Sequence, residues 1–276
     1  MKHTVKQLCS MDPADAVAAL VADVISGKRP LLGSNTKVEK AKGLGIRTAG
    51  LALAPATESL PFGGRNMCPK ASEGCAAACL KHAGCNVMPY NSLLRIAKTL
   101  VFLHHREAFE ALLYAEISRH IRNSLKAGQV PAFRSQVLHD HPSFGAQVAR
   151  DFPDLQVYDY TAIVSYAVKH KLEGTMPDNF HLTVSRKEFR HPDTLRALQA
   201  GLNVAVVFDG PFPTTFAGHP VIDGDEHDAR FLDPKGVVVG LKLKGTKAAK
   251  QAAMDSGFAI MTDGSGADPI PLHAWA

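Results

Sequence analysis

The sequence predicts an α/β protein built as a single-domain β/α barrel, TIM-like and either closed or incomplete. Short runs rich in β-branched residues recur along the chain, and helical patterns separate several of them. Near-continuous apolar strands that alternate with helices favour a parallel sheet covered on both faces. The length of 276 residues accommodates roughly six or seven such units in one domain. The runner-up is a doubly wound open sheet, but no GxGxxG motif follows the first strand to support a dinucleotide site.

The N-terminal part of the chain is predicted to be helical. Residues 11–28 have an amphipathic pattern that begins at Asp12-Pro13, a typical helix-start signal. We therefore expect residues 1–33 to form a helical extension of one domain that covers residues 1–276. No internal repeat or convincing linker divides the chain further.

The rest of the chain alternates between strand and helix patterns. The first strand is predicted at residues 48–55, where a proline stops it. Residues 92–124 carry apolar side chains at helical spacing, which indicates one long helix or two in series. Further strands are predicted at 132–137, 155–160, 180–185, 203–208, 237–243 and 258–261, with helices at 143–151 and 191–200.

The bulk composition is that of an ordinary soluble protein, with 46% hydrophobic and 21% charged residues. A chain of this length buries a full core without disulfides. The N-terminus lacks a signal-peptide core and cleavage site, and no apolar run is long enough to span a bilayer. These observations predict a cytoplasmic protein without membrane contact. The net charge of +5 is spread along the chain, so nucleic-acid binding is not favoured.

Four of the five cysteines fall within eighteen residues, at Cys68, Cys75, Cys79 and Cys85. They lie in a loop from 56 to 91 that is too long for a simple connector. Their spacing, Cys-x6-Cys-x3-Cys-x5-Cys, lacks the two tight knuckles that are typical of zinc sites. Iron–sulfur clusters accept more varied spacings, and the small residues between these cysteines permit a close wrap. The loop therefore predicts an iron–sulfur cluster, [4Fe–4S] before other types, with zinc as the alternative.

Other candidate ligands are fewer. His139 and His141 lie just beyond a predicted strand end, so either is a candidate for a fourth cluster ligand. His104 and His105 are adjacent on a predicted helix and diverge by about 100°, so they do not readily share one ion. Cys9 is interpreted as a lone thiol without function. The chain has no nucleophile elbow, P-loop or HExxH motif.

Polar side chains that follow the predicted strands would meet at one rim of a barrel. Such a rim binds an anionic ligand or supplies a general acid and base, although salt bridges and helix caps are the simpler interpretation. The cofactor-binding candidates at this rim are Arg134, Asp159 and Lys242. The further rim residues are Tyr160, Ser185, Arg186, Asp209, Lys244, the acidic stretch 223–228, Arg230 and Asp233.

Several motifs, in order along the chain, resemble a family of bacteriophage and prophage proteins. The similarity extends from Asn35 to about Gly257. It implies a phage or prophage origin and action in the cytoplasm of the bacterial host. The motifs are GGRNMCPKASEGCAAACL at 63–80, RIAKT at 95–99, YDYT at 158–161, HLTVS at 181–185, NVAVVF at 203–208, VIDGD at 221–225 and RFLDPKGVVVGLK at 230–242.

The family pattern carries three cysteines, which match Cys68, Cys75 and Cys79. Cys85 stands where the family more usually has arginine or another residue, so the resemblance makes it a doubtful ligand. The resemblance thus implies a three-cysteine cluster with an open iron or with a fourth ligand other than cysteine.

Two functions remain open from the sequence. The first is a metalloprotein with a cluster at the barrel mouth, which binds substrate, transfers electrons or cleaves a bound sulfonium cofactor. Its partners would be an electron donor or a small-molecule ligand. The second is a zinc-stapled binding module that contacts a host protein or nucleic acid through its basic surface.

Overall fold

The computed structural model describes residues 3–34 and 39–270. Asn35, where the family resemblance begins, lies outside the described residues. The helices are α1 Val5–Ser10, α2 Pro13–Ile25, α3 Glu73–Ala77, α4 Pro89–His104, α5 Arg106–Lys126, α6 Pro142–Asp151, α7 Val164–Leu172, α8 His191–Gln199 and α9 Lys247–Asp255. The strands are β1 Leu32–Gly33, β2 Ile46–Leu51, β3 Val130–Arg134, β4 Gln156–Thr161, β5 Phe180–Ser185, β6 Val204–Asp209, β7 Thr215–Phe216, β8 His219–Asp223, β9 Val238–Lys242 and β10 Ala259–Met261.

The strands form one sheet in the order β1-β2-β3-β4-β5-β6-β9-β8-β7, and β10 pairs with β6 outside this path. The ladders from β2 through β6 to β9 and β8 are parallel, whereas β1 and β7 pair antiparallel. The α/β class is therefore confirmed. Within the described residues the two ends of this order do not pair with each other, so the sheet is open and a closed barrel is not confirmed.

The two faces of the sheet differ in character because side chains alternate along each strand. One face carries large apolar residues such as Phe133, Leu182 and Phe208, and these pack with apolar residues from α4 to α8 in the main core. On the opposite face, Ala132 and Tyr158 belong to a small cluster that is covered by residues of the 3₁₀ helices Lys40–Leu44 and Arg230–Leu232 rather than by α-helices. The helices that contribute to the main core thus bury one face.

The pattern at 92–124, predicted as one long helix or two in series, is two helices, because His105 adopts a non-helical conformation with φ −132° and ψ 53°. The first predicted strand differs in its bounds. The predicted strand at 48–55 instead covers 46–51, and beyond it the Ala54 amide donates to the Thr99 hydroxyl on α4 at 2.8 Å. The Thr99 hydroxyl thus accepts the hydrogen bond that a carbonyl oxygen of a neighbouring strand would accept if the strand continued.

The carboxyl ends of the parallel strands define the edge at which the candidate site lies. The chain leaves β2 at this edge and does not enter α4 until Pro89. We call residues 52–88 the cysteine segment. Loops after β3, β4 and β5 begin at the same edge, which is where α/β proteins place functional groups.

Candidate metal centre

The cysteine segment is bound to the loop that follows β3. The Asp140 amide donates to the Met67 carbonyl oxygen at 2.9 Å. The neighbouring Cys68 Sγ lies 3.7 Å from the Leu138 carbonyl oxygen. These contacts fix Cys68 over the carboxyl end of the sheet.

Helix α3, which contains Cys75, is held by a carboxylate from another part of the chain. Ser72 caps the helix, and its hydroxyl accepts a hydrogen bond from the Cys75 amide at 3.3 Å. Glu188, in the loop after β5, accepts from the Ser72 hydroxyl at 2.5 Å and from the Gly74 amide at 2.8 Å. A five-residue helix has little stability of its own, so these tertiary contacts determine where Cys75 lies.

The two ends of the cysteine segment are joined by a buried ion pair. Arg95 on α4 donates to Glu58, with Nη2 2.7 Å from Oε1 and Nε 3.3 Å from Oε2. Its Nη1 donates to the Asn86 carbonyl oxygen at 3.0 Å. This bidentate geometry is the strong form of an arginine–carboxylate pair. It holds residues 58 and 86 against the same helix, near Cys79.

Cys68, Cys75 and Cys79 are free thiols of intermediate exposure. Burial raises the pKa of Cys68 to about 11, against the lowering effect of a hydrogen bond from the Ala56 amide. Burial also raises the pKa of Cys75 to about 12, and the Cys79 and Cys68 thiols raise it further. The pKa of Cys79 is likewise raised, chiefly by burial. The structure therefore brings these three sulfurs into one electrostatic neighbourhood.

These thiols are not activated nucleophiles, since a reactive cysteine has a lowered pKa. Coordination is different, because a metal deprotonates the thiol that binds it. The Ala56 amide donates to Cys68 Sγ at 3.2 Å, and hydrogen bonds to sulfur tune iron–sulfur clusters. The three thiols thus fit a metal or metal cluster, because its positive charge favours the deprotonated form of the thiols that bind it.

Cys85 and Cys9 differ from the other three in their exposure. Cys85 is exposed in the turn Gly84–Val87, where its carbonyl oxygen accepts from the Asn91 side chain at 2.7 Å. Cys9 is exposed on α1. The structure thus separates Cys85 by burial from the three thiols that the family resemblance selects.

The two candidate histidines have different surroundings. His139 is buried, and within the described residues neither of its ring nitrogens has a hydrogen-bond partner. Burial lowers the pKa of His139 to about 3, so the ring is neutral. His141 Nδ1 lies 3.1 Å from the Ser143 hydroxyl. Across residues 3–34 and 39–270, no three His, Cys, Asp or Glu side chains are grouped closely enough to hold a single metal ion.

Two of the three predicted cofactor-binding residues, Arg134 and Asp159, lie together, and Lys242 lies apart from them. Arg134 Nη1 donates to Asp228 at 2.9 Å, and its Nε lies 3.9 Å from Asp159. Asp159 accepts from the Ser135 and Gln136 amides at 2.9 Å each. Arg134 and Asp159 are therefore members of a buried ion-pair network.

Burial raises the pKa of Asp159 to about 7, although Arg134 and these hydrogen bonds lower it. Lys242 stands elsewhere, at the exposed end of β9, with Nζ 5.9 Å from the centre of the Phe212 ring. A cofactor contact by any of these three residues stays a prediction.

Sequence reasoning missed the residues that hold the cysteine segment in place. Glu58 pairs with Arg95 across 37 residues, and Glu188 binds Ser72 across 116. No local pattern links residues so far apart. The only sequence signal was the placement of residue 188 just after a predicted strand, where rim residues were expected.

Comparison with known proteins gives one match. A family model described as Gene product 88 matches residues 28–260, a range that includes the whole cysteine segment. No curated protein and no solved structure matches the chain. Among the described helices, none combines the length and the apolar character needed to cross a membrane. The resemblance to a phage-type family is confirmed: the chain belongs to the Gene product 88 family.

Proposed function

We propose that the protein binds an iron–sulfur cluster, [4Fe–4S], through Cys68, Cys75 and Cys79 at the carboxyl edge of the sheet. The observation that carries this proposal is the trio of partly buried thiols, each with a raised pKa. Three such groups are costly to ionise without a metal. The family resemblance implies the same three cysteines, which supports the choice of ligands.

A cluster with an open iron would supply Lewis-acid or electron-transfer chemistry at this edge. The chain's own groups act on the ligands. The Ala56 amide donates to the Cys68 sulfur, and Glu188 and Ser72 orient the helix that carries Cys75. The partner would be an electron donor or a small-molecule ligand in the host cytoplasm.

A partly closed barrel is part of this proposal. The main core buries one face of the sheet against helices, and the opposite face carries Arg134, Tyr158 and other polar groups. One-sided helix packing is typical of barrels, whereas doubly wound sheets carry helices on both faces. This arrangement favours the barrel over the runner-up.

The test is to purify the protein without oxygen and to record its absorbance and metal content. We expect a broad band at about 400 nm that dithionite bleaches, together with bound iron and sulfide. A colourless protein that contains one zinc would instead support the zinc-stapled binding module. A protein that binds neither metal after anaerobic reconstitution would contradict both.

A further inference from the structure

Arg186, the first residue after β5, is a buried arginine without a carboxylate partner. Its side chain is 5% exposed. Nη1 donates to the carbonyl oxygens of Gly257 and Phe258, each at 3.1 Å. Nε has no hydrogen-bond partner within the described residues, and no described carboxylate lies within 4.0 Å of the guanidinium. Two neutral carbonyl groups do not neutralise its charge.

The other buried arginines of the described chain have the carboxylate partner that Arg186 lacks. Each has a carboxylate partner at 3.3 Å or less. The pairs are Arg29 with Asp23, Arg95 with Glu58, Arg134 with Asp228 and Arg230 with Asp233. A buried charge without such a partner destabilises a fold by several kcal/mol. An unpaired buried arginine is therefore expected where an anionic ligand supplies the second charge.

Glu188, the nearest acidic candidate in sequence, is already engaged. Its two oxygens accept from the Ser72 hydroxyl and the Gly74 amide, so it is oriented toward α3. Burial lowers the pKa of Arg186 to about 10 even though Glu188 acts to raise it. The guanidinium keeps its charge at neutral pH and remains incompletely compensated.

Arg186 lies at the carboxyl end of β5, where that strand and β6 diverge. β5 pairs with β6 only through Val184 and Ser185, and the next link is the Arg186 amide to the Ala205 carbonyl oxygen. Farther along, β6 pairs with β10. The guanidinium thus bonds to the two residues that precede β10, at the point where β5 diverges from β6. The carboxyl ends of parallel strands are where α/β proteins place their ligand sites.

Arg186 lies close to the candidate metal centre. Arg186 binds the carbonyl groups of Gly257 and Phe258, and residues 256–258 pack directly on Gly74, the neighbour of Cys75. A second cation, Lys187, is also near the thiols. Burial raises the pKa of Asp140, and the positive charge of Lys187 acts to lower that pKa. The Asp140 carboxylate in turn raises the pKa of Cys68. The positive charges of Arg186 and Lys187 therefore lie near the cysteines.

We propose that Arg186 binds the carboxylate or phosphate group of a small-molecule ligand at the carboxyl end of β5, beside the helix that carries Cys75. As a substrate site for a cluster, this inference rests on the proposed function. The inference that Arg186 binds an anion does not rest on the proposed function, because the hydrogen-bond donors of this site belong to the protein alone.

The test is calorimetric titration of the full chain with sodium phosphate and with sodium acetate, at an ionic strength fixed by sodium chloride. It is done on anaerobically purified protein and on chelator-treated protein. We expect saturable binding of at least one anion in both preparations. Arg186→Met should weaken that binding at least about tenfold, because a charged hydrogen bond is lost. Arg190→Met is the matched control, since Arg190 is exposed and pairs with Asp193.

The two anions distinguish a phosphate-bearing ligand from a carboxylate-bearing one. Replacement of an unpaired buried charge by an apolar residue of similar size is usually neutral or stabilising, so Arg186→Met should fold. If circular dichroism shows that it does not, Arg186→Lys keeps the charge, loses the planar fork and should bind more weakly. Absence of binding to the wild type, or unchanged affinity in the folded Arg186 variant, overturns the inference. Anion binding by anaerobically purified protein that contains no iron, before any chelator is added, would instead overturn the cluster alone.

Discussion

At the scale of single residues, the pKa values of the thiols indicate which chemistry suits the cysteine segment. Raised pKa values at Cys68, Cys75 and Cys79 argue against nucleophilic or redox-thiol chemistry, which needs thiolate at neutral pH. They favour coordination, in which the metal displaces the protons. Because a metal displaces the thiol proton, a thiol that burial keeps protonated is still able to bind a metal.

The ligand set leads to a prediction for two variants. Cys75→Ala should lose the iron, because it removes one of three ligands on a helix that Glu188 and Ser72 hold in place. Cys85→Ala should keep the iron, because that thiol is exposed in a separate turn. The measurement is iron content per chain after anaerobic purification of both variants. Equal loss in the two would make Cys85 a ligand.

At the scale of elements, α3 is positioned by close packing. A Cβ added at Gly74 would lie 2.4 Å from Phe258 Cβ and 2.4 Å from Ser256 Oγ. Alanine is ordinarily the better helix former, by about 1 kcal/mol. Here the steric overlap outweighs that preference, because the loop before β10 occupies the space.

Gly74→Ala is therefore expected to destabilise the protein. Overpacking of this kind costs about 1–3 kcal/mol in the free energy of unfolding, measured by urea denaturation. Gly43→Ala is the control, because no atom lies within 4 Å of the Cβ it would add. It should change stability by less than about 0.5 kcal/mol. Equal stability of the two variants would show that α3 does not pack on residues 256–258.

The sequence predicted elements better than it predicted the contacts between them. Strands β3 to β6 and β9 follow from their β-branched runs, and Arg186 was expected at a strand end. Helices α7 and α9 were missed. The break at His105 has no glycine or proline to indicate its position. The Glu58–Arg95 pair depends on tertiary packing, which no local pattern encodes.

At the scale of the whole molecule, the parallel order of the sheet was predictable and its edges were not. Consecutive parallel strands connected by helices tend to lie side by side, as β2 to β6 do. β10 has only three residues, and it pairs with the carboxyl half of β6, which β5 leaves unpaired. Pairing of so short a strand depends on the space that other elements leave. The divergence of β5 from β6 at Arg186 is thus a property of the assembled sheet.

The stability of the whole molecule should depend on pH through His139. Burial lowers its pKa from 6.5 to about 3, so the unfolded chain binds a proton that the folded chain does not between these values. Stability should therefore be complete above about pH 6.5. It should fall by up to about 1.4 kcal/mol per pH unit as the pH drops toward 3.

Urea denaturation of metal-free protein between pH 4 and 7 measures this slope, with the pH range set by the two pKa values. His139→Gln should flatten the profile, whatever it does to stability at neutral pH, because glutamine does not titrate. If His139→Gln and the wild type have the same slope, His139 is protonated in the folded protein and must have a partner there. That result would place an acceptor beside the ring, in the loop that Cys68 contacts.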